Sequence, residues 1–216
     1  MKLTNESKFF LGIIGGTVLI IALAVILLSR PAKPLEKSAL ITPTTNTRGN
    51  KDAKVWLVEF SDFQCPACKI FAKAVDELAS QYPDKLLVAY RYFPLDQHPY
   101  SRLTARAALL SAKQNKFWEI GTTLFDNQEK IATASSVDNA RETILELVRP
   151  ILPTSDAFAM DLLENQGDDV ITADVSYGNT IGISATPTFF LNGLKVEAGT
   201  PDALKTKVKE SLKISN

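Results

Sequence analysis

The chain has 216 residues, with 24 Lys and Arg against 24 Asp and Glu, one histidine and two cysteines. That length suits one or two domains, and a formal net charge of zero excludes the basic footprint of a nucleic-acid partner. Past Arg30 the balance is 21 basic to 23 acidic residues, which argues against any polyanion as partner.

Residues 1–30 read as an N-terminal tail and a membrane anchor. Phe9 to Leu28 is twenty residues without a charge. At 1.5 Å per residue such a helix crosses a bilayer core of roughly 30 Å. Lys2 and Lys8 give the basic start of a signal peptide, but the apolar run is long and Leu27-Leu28-Ser29-Arg30 is no small-x-small cleavage site. The expectation is an uncleaved, single-pass signal anchor. Arg30, Lys33 and Lys37 nearly balance the charges on the other side, so they do not set its orientation.

Residues 31–49 carry Pro31, Pro34, Pro43 and a Thr/Asn run over 42–47, the composition of a flexible linker. A folded domain is expected over 50–216. Val55 to Phe60 reads as a buried strand and Pro66 to Tyr82 as a helix, with Pro66 suited to its first turn. Leu86 to Phe93 is a second strand, so the first half is a right-handed β-α-β unit. Helical spacing dominates about 99–178, as in Phe117/Ile120/Leu124 and Ile144/Leu147/Val148/Ile151. Pro150 and Pro153 interrupt it. Thr188 to Leu191 is a strand, Asn192-Gly193 a hairpin turn, Leu194 to Ala198 its return, and Pro201 to Leu212 a closing helix.

The chemistry concentrates at Cys65-Pro66-Ala67-Cys68, which holds both cysteines. A C-x-x-C pair between a strand and a helix is a dithiol that cycles to a disulfide, and the helix N-terminus favours a thiolate there. A structural zinc site needs two further ligands, and His98 is the one histidine. A structural disulfide across so small a loop would constrain the chain little. Cys65, at the N-cap and the more exposed, is the expected nucleophile. Cys68, one turn further in, is expected to resolve the mixed disulfide.

Glu59 stands in an otherwise apolar strand. On an alternating strand it would point outward; on a strand covered on both faces it would be a buried acid, costly without a task. His98, before Pro99, suits a capping or packing role. Phe63, Phe117 and Trp118 are candidates for an apolar groove, with core packing expected for the last two.

The run Glu59-Phe60-Ser61-Asp62-Phe63-Gln64-Cys65-Pro66-Ala67-Cys68 resembles the active-site signature of DsbA-like thiol-disulfide oxidoreductases. Ala185-Thr186-Pro187-Thr188-Phe189-Phe190-Leu191-Asn192-Gly193 resembles the loop and hairpin of the same family. Phe93-Pro94-Leu95, His98-Pro99 and Lys116-Phe117-Trp118-Glu119 are also similar. The likeness covers about 50–216. It implies an α/β thioredoxin fold with a helical insertion domain between its β-α-β and β-β-α halves, preceded here by the transmembrane helix. It implies a cis bond at Thr186-Pro187, where sequence alone favours trans, and a backbone edge there that receives a substrate strand. Thr186, Pro66 and Phe63 are then substrate-binding residues, and Pro187 belongs to the catalytic set. It also makes Glu59 the buried acid that accepts the Cys68 proton. One position departs from the family: its best-known member has a histidine between the cysteines, where this chain has Pro66-Ala67. A very low thiol pKa is therefore not carried over.

The implied function is a membrane-anchored protein disulfide oxidoreductase that passes its Cys65–Cys68 disulfide to unfolded or exported proteins. A quinone-linked membrane partner would reoxidise it, with no cofactor beyond the disulfide and no metal. The catalytic domain is expected outside the cytoplasm, where disulfides persist. The alternatives are a reductase or isomerase of the same fold, or a tethered chaperone-like binding module with a dispensable dithiol.

Overall fold

The structure, a computed structural model, describes residues 4–28, 33–152 and 155–214. It forms two units, Met1–Pro34 and Leu35–Asn216. The first is one helix, α1 (Asn5–Leu28), whose large apolar side chains from Phe9 to Val25 stand in the open. The expected membrane crossing finds its helix but not its span. Among the described residues no helix is long and apolar enough to cross a membrane. The side chains described in α1 end at Val25, which leaves about 25 Å of axis against a core of roughly 30 Å.

The second unit runs α2 (Lys37–Leu40), β1 (Asn46–Gly49), β2 (Val55–Ser61), α3 (Pro66–Gln81) and β3 (Leu86–Tyr92). Then come α4 (Ser101–Ala112), α5 (Phe117–Asp126), α6 (Gln128–Ala132), α7 (Val137–Val148), α8 (Ser155–Leu163) and α9 (Asp168–Thr180). It closes with β4 (Thr188–Leu191), β5 (Leu194–Val196) and α10 (Pro201–Ile214). The strands form one sheet in the order β1-β3-β2-β4-β5. β2 lies parallel to β3 and antiparallel to β4. All seven β2 residues are buried, because both faces are covered, the condition that makes a strand apolar without alternation.

On one face Val55 and Leu57 pack against Val75 and Leu78 of α3 and Leu204 and Val208 of α10. On the other, Trp56, Val58 and Phe60 pack with Leu40, Ile183 and Phe190. The helices α4–α9 hold a further core around Phe117, Ile120, Leu124, Ile144 and Ile171, which reaches Phe63 and both cysteines. The hairpin turn is as expected: Asn192 and Gly193 have φ of 49° and 82°, the pair of positive values that a tight two-residue turn requires.

The linker expected over 31–49 is a correction. From Leu35 onward those residues belong to the fold. Leu35 N donates to Gly193 O at 2.9 Å, Leu40 is completely buried, and β1 pairs antiparallel with β3 from Asn46↔Tyr90 to Gly49↔Leu87. The Thr run is a turn rather than a tether, with Thr42 N donating to Thr45 Oγ1 at 2.9 Å. Single apolar residues such as Leu40 were too sparse in sequence to signal packing, yet one fully buried Leu stabilises by about 1.5–3 kcal/mol. Pro31 and Pro153 lie outside the described residues.

A buried ion pair ties these parts together. Arg91 on β3 donates from Nε to Asp174 Oδ1 of α9 at 2.7 Å. Its Nη1 donates to the carbonyl of Leu40 at 2.9 Å, and Tyr92 N donates to Asp174 Oδ2 at 2.9 Å. Sheet, insertion and N-terminal strap thus share one pair of charges.

Candidate active site

β2 delivers the chain to the site and α3 leads it away. After Ser61 the backbone turns, with Cys65 N donating to Asp62 O at 3.0 Å. Cys65 then takes the N-cap of α3 with extended φ and ψ, and Pro66 is the first helical residue. Helix geometry brings Cys68 one turn on, beneath Cys65. Both are free thiols.

Cys65 is the more exposed of the two, as expected. It keeps 7% of its surface open and Cys68 none, so the difference in access is small and chemistry must separate the two. The Cys65 thiol is lowered from 9.0 to about 5. The largest cause is the hydrogen bond from the Cys68 thiol, opposed by burial, with the backbone N–H groups of Cys68 and Ala67 adding to it. Those N–H groups have no intrahelical partner and point at the cap. Cys68 is pushed up by burial, by the bond to Cys65 and by the Glu59 charge. The missing histidine therefore does not prevent a thiolate; the partner thiol and the helix end supply what a cation would.

Thr186 and Pro187 approach from the loop before β4. Their peptide bond is cis, and Cys65 Sγ donates to the Thr186 carbonyl at 3.4 Å. The Thr186 hydroxyl lies close enough to lower the Cys65 thiol yet makes no hydrogen bond in the observed geometry. Pro66 is exposed and Thr186 and Pro187 are partly so, so these three line the surface beside Cys65. Phe63 does not. It is 2% exposed, stacked on Tyr90 at 4.9 Å and against Phe125 at 4.9 Å. The aromatic core of the insertion claims it, which removes it from the substrate-binding set. Phe117 is buried as expected, and Trp118 is half-buried beneath Arg48.

Glu59 lies inside, 4% exposed. As β2 is central, its odd residues face α3, and its register partner on β3 is Tyr90. Burial raises its carboxyl from 4.5 to about 7; Asp76 pushes the same way, while Ser61 and Arg48 oppose it. Ser61 Oγ offsets the burial without a formed hydrogen bond, since both Ser61 Oγ and Glu59 Oε1 lack a partner within bonding distance.

Sequence reasoning missed the clamp around the active-site turn. Asp62 accepts from Gln64 N at 2.8 Å, Leu95 N at 3.0 Å, Ser101 Oγ at 2.5 Å and His98 Nδ1 at 2.6 Å. His98 thus holds the turn rather than capping a helix alone. Gln64 Oε1 accepts from Tyr100 N at 2.6 Å. Gln128 Nε2 of α6 donates to the carbonyls of Phe63 and Cys65 at 2.8 and 2.9 Å. Asp62 and Gln64 sat inside the recognised run, and an Asp at a turn is a signal in itself. Gln128, more than sixty residues away, had none.

A thioredoxin family model matches residues 41–210. Among curated proteins, the chain is 36% identical over 149 residues to a Na(+)/H(+) antiporter, NhaA 3, of Salinispora tropica, a match covering 68% of this chain and 22% of that protein. The chain spans between a fifth and a quarter of the length of the curated relatives it matches. Among solved structures, oxidised BdbD from Bacillus subtilis superposes with a TM-score of 0.68 at 21% identity, covering 79% of this chain and 94% of that one. Wolbachia pipientis alpha-DsbA1 gives 0.68 at 20% identity, covering 82% and 94%.

Proposed function

The chain belongs to the thioredoxin family and has the fold of the DsbA-like thiol-disulfide oxidoreductases, and from that premise we propose that it is a protein disulfide oxidase acting on exported proteins. The placement of Cys65 at the N-cap of α3, where its thiol is lowered to about 5, supports this direction. Whatever stabilises the thiolate stabilises the reduced protein, and a stabilised reduced form makes the disulfide oxidising.

In this reading a client thiolate attacks Cys65 Sγ of the Cys65–Cys68 disulfide. The S–S bond breaks, and Cys68 leaves as a thiolate that takes a proton from Glu59. A second client thiolate then attacks the client sulfur of the mixed disulfide and expels Cys65 as its stable thiolate. Two electrons pass from client to protein. In the reverse step Glu59 takes the proton from Cys68. Pro187 sets the Thr186 backbone beside Cys65, where an extended client segment pairs with it. Pro66 and Thr186 flank that segment.

The anchor belongs to the same proposal. Phe9 to Leu28 carries no charge and its large apolar side chains described over 9–25 are exposed, a surface suited to lipid. The dithiol chemistry supports a domain outside the cytoplasm, where disulfides persist, and the proposed reoxidant is a quinone-linked membrane protein. Antiport is not part of this reading, as the chain spans at most about a quarter of the antiporters it matches.

The reduction potential tests the direction. Equilibration with dithiothreitol or glutathione should place it between about −120 mV, typical of a strong oxidase, and about −220 mV. A value near −270 mV would make the protein a reductase. Membrane-impermeant maleimide added to intact cells should label Cys65; protection until lysis would put the domain in the cytoplasm.

A further inference from the structure

Beneath the dithiol, three polar atoms on the α3 face of the sheet are buried without a hydrogen-bond partner: Glu59 Oε1, Ser61 Oγ and Tyr90 OH. Native interiors seldom tolerate such a group without water or a task. Glu59 and Tyr90 border a cavity of about 30 Å³, and a water needs roughly 10–15 Å³. Much of its wall is apolar, with Phe63, Phe117 and Phe125 among the lining side chains. The lining changes character at Asp76, Trp118 and Thr122, where Asp76 is 43% exposed.

Two of those three side chains, Asp76 and Trp118, contact Arg48 of the edge strand β1. Arg48 is ion-paired with Asp76, and its guanidinium carbon lies 4.2 Å from the Trp118 ring centroid. The Arg48 and Asp76 side chains keep 23% and 43% of their surface exposed, and ion pairs and cation–ring contacts this near to water are weak. On the opposite side Cys68 is sealed and the turn before it is held by Gln128.

We propose that this cavity is the proton path of the Glu59 carboxyl, and that Arg48, Asp76 and Trp118 form its gate to solvent. The proposal rests on the reading of Glu59 as the proton partner of Cys68. When Cys68 leaves as a thiolate it takes the Glu59 proton. The resulting carboxylate recovers one from water in the cavity, and that water exchanges past Arg48. Per client disulfide, one proton ends on Cys68 and one goes to solvent. The charged and titratable groups facing Glu59 are Asp76, Cys65 and Cys68 from α3, Arg48 from β1 and Tyr90 from β3. Arg48 and Asp76 are thus positioning residues that act through Glu59.

The test is hydrogen–deuterium exchange of the Glu59 carboxylic acid, followed by infrared spectroscopy on the full chain in detergent at pH 5. The band is assigned by its loss in Glu59→Gln. Arg48→Met keeps the aliphatic stem and removes the latch, and should speed exchange at least tenfold. Ala72→Leu, from a wall residue of the cavity, should slow it at least tenfold. An Arg48→Met rate within twofold of the unaltered protein overturns the gate. The underlying reading has its own measurement: an unchanged pH profile for dithiothreitol reduction in Glu59→Gln removes Glu59 as the partner of Cys68, whatever the exchange rates do.

Discussion

Cys65 Sγ and the Thr186 carbonyl meet at 3.4 Å, although 121 residues separate them in the chain. The contact joins the two motifs that local sequence placed far apart. A thiol donates across it, whereas a thiolate cannot. Ionisation therefore removes this hydrogen bond, and the thiolate is supported instead by the Cys68 thiol and the N–H groups of Ala67 and Cys68.

The reactive thiol should report this directly. In the reduced protein, the iodoacetamide rate at Cys65 should rise through a midpoint near pH 5 and stay level to pH 8, with Cys68 unreacted. A midpoint at the ordinary thiol value, near 9, would reject the assignment. Cys68→Ala should accumulate mixed disulfides with clients. The depressed value also stabilises the reduced fold. That contribution is fully present above the unfolded thiol value and is lost as pH falls through about 5, so the melting temperature of the reduced protein should drop toward the oxidised one between pH 7 and 4.

Glu59 has the opposite sign. Its native value is raised, from 4.5 to about 7, so the native state holds a proton that the unfolded chain has lost. That contribution is full below 4.5 and disappears as pH rises through 7. Glu59→Gln should therefore gain stability at pH 8 relative to the unaltered protein, by about 3 kcal/mol at one pKa unit per 1.36 kcal/mol. In the oxidised form, where Cys65 does not titrate, the melting temperature of this variant should change less from pH 4.5 to 7 than that of the unaltered protein. A loss of stability at pH 8 would show that the charged carboxyl is supported in the fold.

What the sequence made legible was local. β2, the turn into α3 and the Asn192-Gly193 hairpin follow from short patterns of burial, cap and turn residues. The cis bond at Thr186-Pro187 came from resemblance, since neighbouring residues do not determine it. Phe63 was misjudged because its exposure depends on Phe125 and Tyr90, and Leu40 because one Leu among Thr and Pro gives no periodicity. Arg48 with Asp76, Arg91 with Asp174, and Gln128 with Cys65 span 28 to 83 residues. No pattern within a window of 11–18 residues reports such pairs.

The Arg91–Asp174 pair makes a stability prediction. Both side chains are about 95% buried or more, and burial raises the Asp174 carboxyl while Arg91 opposes it. Removing one partner strands the other charge, so Asp174→Asn or Arg91→Met should each cost about 3–5 kcal/mol in urea unfolding. The double variant Arg91→Met/Asp174→Asn should cost less than the two singles added. Simple additivity would show that the two charges do not depend on each other.

The strap before β2 makes the last prediction, where composition misled most. If residues 35–49 were a tether, Leu40→Ala would be silent. With Leu40 fully buried beside Trp56 and Phe60, it should cost about 2–5 kcal/mol and lower the urea midpoint without changing its slope. Two truncations sharpen the point. A chain starting at Leu35 keeps α2, β1 and the bond to Gly193, and should melt within a few degrees of the full protein. A chain starting at Asn50 loses β1, exposing the edge of β3 to other chains, and opens the carbonyl shell of Arg91. It should unfold at clearly lower temperature and aggregate. Equal melting of the two would return the segment to the role of a linker, and would mean that the β1–β3 pairing contributes nothing to the fold.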